Sequence, residues 1–200
     1  MFKEPNQHFF PQGLDLPFFV FEMFPWELLD KLNTHFQHLE GSVLVEIPKG
    51  VYVENLDQIT IEAGARIESG CFIRGPCFIG SGATIRHGAY LRGNVWIGQN
   101  SIIGHGCEVK NCIVGRNTSL AHFVYVADSV IGNFVNLASH VTLANLRLDE
   151  KPVLPMHKKK FGAVIGDHTK LGCHVVLNPG KQLPPHTNIY LKQDLIIQHK

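Results

Sequence analysis

Aliphatic side chains return at every sixth position over a long stretch of this chain: Ile61, Ile67, Ile73, Ile79, Ile85, Leu91, Ile97, Ile103 and Val109. The interval shortens once to give Val114, Leu120 and Val126, and again to give Ile131, Leu137 and Leu143. After an interruption it resumes at Ile165, Leu171, Leu177, Leu183 and Ile189. Four positions after each aliphatic of the unbroken run stands a small or modest residue: Ala65, Cys71, Cys77, Ala83, Ala89, Val95, Ser101, Cys107 and Ile113. A period of six matches neither a helix nor a strand that keeps alternating. It fits a chain that turns a corner every six residues, so that three hexads close a triangular coil of eighteen. Glycines at 64, 70, 82, 88, 98, 104, 106 and 132 supply permissive backbone at the bends. The spacing predicts an all-β fold, a parallel β-helix of about seven coils stacked roughly 4.8 Å apart.

Residues 1–42 precede the repeat and 43–200 contain it, which divides the chain into an N-terminal cap and a β-helix domain. Within the cap, FPWELLDKLNTHFQHLEG (24–41) has Pro25 at a first helical position, an apolar stripe of Leu28, Leu29, Leu32 and Phe36, and Gly41 as a stop. The pattern predicts a short helix, expected to cover the open end of the coil stack, which is otherwise a bare sheet edge. The segment LRLDEKPVLPMHKKKFG (146–162) breaks the count and reads as a loop thrown out of the solenoid. Insertions of this kind commonly map to a binding face. Its Lys158, Lys159 and Lys160 read as a solvated run.

Counting by coils converts spacing into neighbourhood. His87 and His105 are eighteen apart, and His122 follows seventeen later across one shortened hexad, so the three form a column. Arg92 and Lys110, also eighteen apart, form a second column five residues on, expected to flank the same corner. A base and two cations on one strip of surface suit an anionic substrate with one reacting proton. Three readings compete for the histidines. They are outward residues at a corner, which suffices for His87 and His105. They are ligands of a zinc shared between subunits, as in a γ-class carbonic anhydrase. That site needs histidines five apart, a spacing no pair here has. Or His122 is an acid–base catalyst, the one column member with Tyr125, Asp128 and Asn136 close in sequence. No metal is expected.

Eighteen basic and seventeen acidic side chains nearly balance, so neither a nucleic-acid footprint nor an acidic tail is expected, and nucleic acid is not an expected partner. The apolar run Pro17 to Phe21 is bracketed by Asp15, Glu22 and Pro25 and lacks a basic flank, which argues against a signal peptide or membrane span. Five cysteines without a Cys-x-x-Cys pair suit a reducing cytoplasm. Cys71, Cys77 and Cys107 occupy the inward small position, whereas Cys112 and Cys173 fall off it.

Read in order, the segments YLRGNVWIG, EVKNCIVG and AHFVYVADSVIGNFVNLASHVTLANLRLDEK carry a resemblance over about residues 60–195. They resemble the left-handed β-helix (hexapeptide-repeat) acetyltransferase domain of the bifunctional glucosamine-1-phosphate acetyltransferase / N-acetylglucosamine-1-phosphate uridyltransferase family. The resemblance implies a left-handed coil and a homotrimer with active sites shared between subunits. It implies acetyl-CoA as co-substrate and an amino-sugar phosphate, glucosamine 1-phosphate, as acceptor, in UDP-N-acetylglucosamine synthesis. It makes His122 the general base, Tyr125 a sugar contact, and Arg92 and Lys110 the holders of the phosphate. Asn136, Asn145 and Lys151 match further substrate contacts. Ala138, Ser139 and Cys173 fall where acetyl-CoA lies, with a backbone N–H near residues 138–140 for the oxyanion. The departures are Ala138-Ser139-His140 where the family has Gly-Ala-Gly, Cys173 in place of a serine, and no counterpart here to the family's nucleotidyltransferase domain or CoA-binding arm. They keep open a second expectation, a non-catalytic trimeric module that partners a separate sugar nucleotidyltransferase.

Overall fold

The structure, a computed structural model, describes residues 4–153 and 155–190. Residues 191–200 of the expected coil domain lie outside the described residues. The hexads fold as short parallel strands on three faces. The first face begins with Ser42–Val43, Ile59–Ile61, Cys77–Ile79 and Val95–Ile97 and ends with Ala163–Ile165 and Lys181–Leu183. The second includes Tyr52–Glu54, Phe72–Arg74, Tyr90–Leu91, Thr142–Leu143 and Val176–Leu177. The third runs from Arg66–Ile67 through Ile102–His105 and Ser119–His122 to Asn188–Ile189. This is a left-handed parallel β-helix of about eight turns. It has more turns than the periodicity predicts because Ser42–Val43 and Tyr52–Glu54 already form a coil ahead of Ile61. The repeated aliphatics line one continuous core. Each fully buried one contributes about 1.5–3 kcal/mol of transfer free energy.

The two shortened hexads have one physical origin. Between Arg92 and Val95 the corner holds two residues, Gly93 and Asn94, both with positive φ (89° and 54°). In the next two coils it holds one each, Asn111 (47°) and Asp128 (50°). The chain therefore runs through this corner as the long strands Glu108–Val114 and Tyr125–Ile131, fusing the first and second faces into one sheet. Losing a corner residue shifts the inward phase. Cys112, not Ile113, pairs in register with Val95 and Ser129 and is fully buried. Cys112 is thus a core filler like Cys71, Cys77 and Cys107, and burial pushes all four thiols up.

The cap does not cover the end of the stack. Helix α1 spans Asn6–Phe9 and α2 spans Glu27–Phe36, ending five residues before Gly41. The Glu27 carboxylate accepts from the Phe24 N–H at 2.8 Å, a turn that fixes the start of α2. Leu28, Leu29, Leu32 and Phe36 pack with Trp96, Ile113, Val130 and Val164, which point outward from the first face. The predicted stripe is real, but its partner is the flank of the middle coils. Trp96 stacks on Phe78 at 3.8 Å and meets Phe36 and Phe18. The extruded loop joins this second core through Val153, Met156 and Phe161. Lys158 bonds Asp30 of α2 at 2.6 Å, so it is a tether and not part of a solvated run. Polar ties complete the docking: Asn133 Nδ2 donates to Gly13 O at 2.8 Å, Arg116 pairs with Asp15 at 3.1 Å, and Asp167 N donates to Phe9 O at 3.0 Å.

Replacing Trp96 with alanine should cost about 3–5 kcal/mol in urea unfolding. Amide exchange over 27–36 should rise while that over 102–109 stays slow, whereas an end-capping helix would leave its amides unaffected. A second outcome concerns Asp167, which accepts from the Asn133 N–H at 2.7 Å. Burial raises its carboxyl above the ordinary value. A carboxyl raised in the folded state contributes stability below its unfolded value, and that contribution is lost as pH rises through the folded one. Asp167→Asn keeps the acceptor and removes the titration. Its melting temperature relative to wild type should therefore climb as pH rises above about 4, and a pH-independent difference would refute this.

Candidate functional site

His105 and His122 are register partners on the third face, as the coil count requires. Their rings differ. His87 Nδ1–H donates to Ser69 O, and His105 Nδ1–H donates to His87 O, each at 2.7 Å. These two rings serve the coil below them. Above His105 the stack passes to Phe123, which holds a positive φ (52°) and sets its ring 5.0 Å from that of His105. His140 and His174 continue it, at 5.1 and 4.7 Å. His122 is left exposed, its ring without a hydrogen-bond partner among the described residues.

The cations lie across the second face. Arg92 N donates to Val109 O and Lys110 pairs with Ala127, so they form the expected column. Between His122 and Ala127 lie the corner at Phe123, with its positive φ (52°), and the second-face strand that starts at Tyr125. The two columns therefore flank one face, not one corner. Tyr125 sits between them, in register with Glu108, which in turn pairs with Tyr90. Burial, reinforced by the Glu108 carboxylate, pushes the Tyr125 phenol up and keeps it a donor. Arg92 bonds Glu108 at 2.6 Å and leans over the Tyr90 ring at 5.7 Å. The bond to Glu108 holds the guanidinium charged. Lys110 has no ion-pair partner among the described residues.

At the far edge of this face the shortened corner carries a polar ladder. Asn94 Nδ2 donates to Asn111 Oδ1, and Asn111 Nδ2 donates to Asp128 Oδ1 at 2.6 Å. From the other side Asn145 Nδ2 donates to Asp128 Oδ2 at 2.5 Å. Asp128 is only 6% exposed, so these two amides are its compensation. Asn145 is thereby committed to the fold. Asn136 stands exposed on the third face, in register with Ser119 and Lys170, and Lys151 is exposed in the loop. The geometry sets Tyr125, Arg92 and Lys110 on the second face, with His122 at the corner that borders it, and does not gather Asn136, Asn145 and Lys151 with them.

Beside His122, the corner holds Ala138, Ser139 and, one coil on, Cys173. The bond from His174 N to Ser139 O puts Cys173 in phase with Ser139 and His122. The Ala138 and His140 amides are spent on Leu171 O and His122 O. Only the Ser139 N–H is free of a partner among the three. Among the described residues, no group of three or more His, Cys, Asp or Glu could hold a metal ion. No helix among them is long and apolar enough to cross a membrane.

A family model described as "GMPPB C-terminal domain" matches residues 73–196. The chain belongs to this family. Its coils resemble the hexapeptide transferase family protein of Anaplasma phagocytophilum, 17% identical, with a TM-score of 0.54 over 77% of this chain and 80% of that one. A Bacillus cereus protein described as an acetyltransferase is 16% identical, with a TM-score of 0.57 over 69% and 76%. At such identity the likeness is one of fold. No curated protein matches in sequence.

Within this GMPPB C-terminal domain chain, the ladder is the element that the residue columns overlook. Its signal is plain in retrospect: Asn94, Asn111, Asp128 and Asn145 recur every seventeen residues. Asp128→Ala should cost about 1–3 kcal/mol for each amide left unpaired, measured by urea unfolding. Removing Asn145 in that background should add little, because its partner is already gone.

Proposed function

We propose that this chain is a CoA-dependent N-acetyltransferase acting on an amino-sugar phosphate. The observation that carries the reading is the contrast within the column: His87 and His105 are bonded to the coil beneath, while His122 stands free on the edge of a face that carries Tyr125 and Lys110. The family match and the fold likeness to hexapeptide transferases support an acyl-transfer role, and the resemblance of the segments points to glucosamine 1-phosphate, on the way to UDP-N-acetylglucosamine.

The substrate lies across the second face. Lys110 holds the phosphate, joined by Arg92 once its guanidinium is shared between Glu108 and the ligand. The Tyr125 hydroxyl donates to the sugar. His122 Nε2 takes the proton from the amine as nitrogen bonds the acyl carbon and the carbon–sulfur bond breaks. The thiolate that leaves takes up a proton. The Ser139 N–H is the donor available to the developing oxyanion, and the Ala138–Ser139 and Cys173 corner receives the acetyl-CoA arm. In a homotrimer, Asn136 and Lys151, which lie off this face, serve a neighbouring subunit's substrate.

With acetyl-CoA and a set of hexosamine phosphates, purified protein should release free thiol, and His122→Ala should slow turnover about 10²–10⁴-fold. Lys110→Ala should mainly raise KM for the sugar phosphate. Thiol release no faster than in the His122→Ala control would refute the enzyme. A second reading has its own observation: the Phe123, His140 and His174 rings occupy successive coils of the corner that would receive CoA. On that reading the chain is a trimeric assembly module for a separate sugar nucleotidyltransferase. Calorimetry with millimolar acetyl-CoA decides, since the module takes up no heat.

A further inference from the structure

Beyond the cations, on the side away from His122, the surface falls into a cleft between α2 and the shortened corner. A hollow of about 430 Å³ is lined by Lys110, Arg92 and three rungs of the ladder, Asn94, Asn111 and Asp128. It shares Asn33, Pro76 and Asn94 with a second of about 620 Å³ that runs along the C-terminal half of α2, so the two are continuous. Each is of the size of a small-molecule pocket, roughly 300–1,000 Å³, and far exceeds what one phosphate group fills.

Its chemistry is graded along its length. The near end carries the Lys110 and Arg92 cations, with the Asp128 carboxylate there held by the Asn111 and Asn145 amides. The middle offers Phe36 and Pro76 as flat apolar walls, with the carboxamides of Asn33 and Gln58 supplying both donors and acceptors. At the far end stand Glu40 and Asp57, which repel phosphate and accept from hydroxyl or N–H groups. A ligand matched to this order has an anionic segment followed by a neutral heterocycle and polyol that carry donors. A nucleoside joined through phosphate is such a ligand.

We propose that the cleft binds the nucleoside of a nucleoside-diphosphate amino sugar, whose diphosphate lies at Lys110 and Arg92 and whose sugar points over Tyr125 to His122. The inference rests on Lys110 as the phosphate-binding residue. It widens the acceptor from a sugar 1-phosphate, which would leave the cleft idle, to a nucleotide-linked sugar. The direction follows from position: a phosphate at Lys110 has His122 on one side and the cleft on the other, so its two substituents part ways there.

The test is calorimetry of the intact chain with uridine- and guanosine-diphosphate-linked glucosamine and with glucosamine 1-phosphate. Wild type and His122→Ala should bind one nucleotide-linked form at least tenfold more tightly than the 1-phosphate. Gln58→Trp, exposed and lining only the hollow away from Lys110, should fill the cleft, abolish that preference and leave 1-phosphate affinity unchanged. Circular dichroism confirms its fold. Equal affinity for the two ligands, or a preference that survives Gln58→Trp, overturns the inference while leaving acetyl transfer to the 1-phosphate standing. Lack of binding by every ligand, or binding untouched by Lys110→Ala, overturns the phosphate assignment and the inference with it.

Discussion

Each coil of this chain is hydrogen-bonded on both sides to its neighbours, and each must close on itself with its aliphatics inside. That closure is the constraint from which the rest follows. Away from insertions it sets eighteen residues per turn or, where one corner loses a residue, seventeen. Extra residues are let out only at corners, as in the step of twenty from Tyr52 to Phe72 and in the loop of 146–162. Because strands stack in register, an outward side chain is surrounded by those of its own phase. Function on such a scaffold is written in columns, and a change in coil length can realign them.

The shortened corner illustrates this. Losing one corner residue at Asn111 keeps His122 in step with His105, losing another at Asp128 keeps Ser139 in step with His122, and the two together draw four polar residues into a ladder. Every amide of that ladder donates towards Asp128, so one buried carboxylate is fed from both directions. The charge is thereby satisfied without either cation of the face. Arg92 is matched by Glu108, and Lys110 has no ion-pair partner among the described residues.

The three-sided coil, the phase of the histidine and cation columns, and the core role of most cysteines were legible because a strict period carries them. Cys112 was misplaced because the six-count cannot say which residue of a shortened hexad is lost; only the pairing with Val95 and Ser129 decides it. The docking of α2 was hidden for another reason. The stripe of Leu28, Leu29, Leu32 and Phe36 declares that one side is buried, but not against what. Its answer is the outward column Trp96, Ile113, Val130 and Val164, apolar where an outward column is ordinarily polar. The ring stack at the His122 corner was hidden as well, since it depends on Phe123 and His140 accepting left-handed backbone that glycine occupies in the coils before them.

The ties between cap and coils join residues more than a hundred positions apart, Gly13 to Asn133 and Asp15 to Arg116 among them. A ribosome releases the phenylalanine-rich first segment long before the wall it needs has been made. The coils can grow in order, each templated by the one before. The segment synthesised ahead of the coils therefore finds its place after them, and its aromatic surface must be kept from other chains until Val164 has emerged.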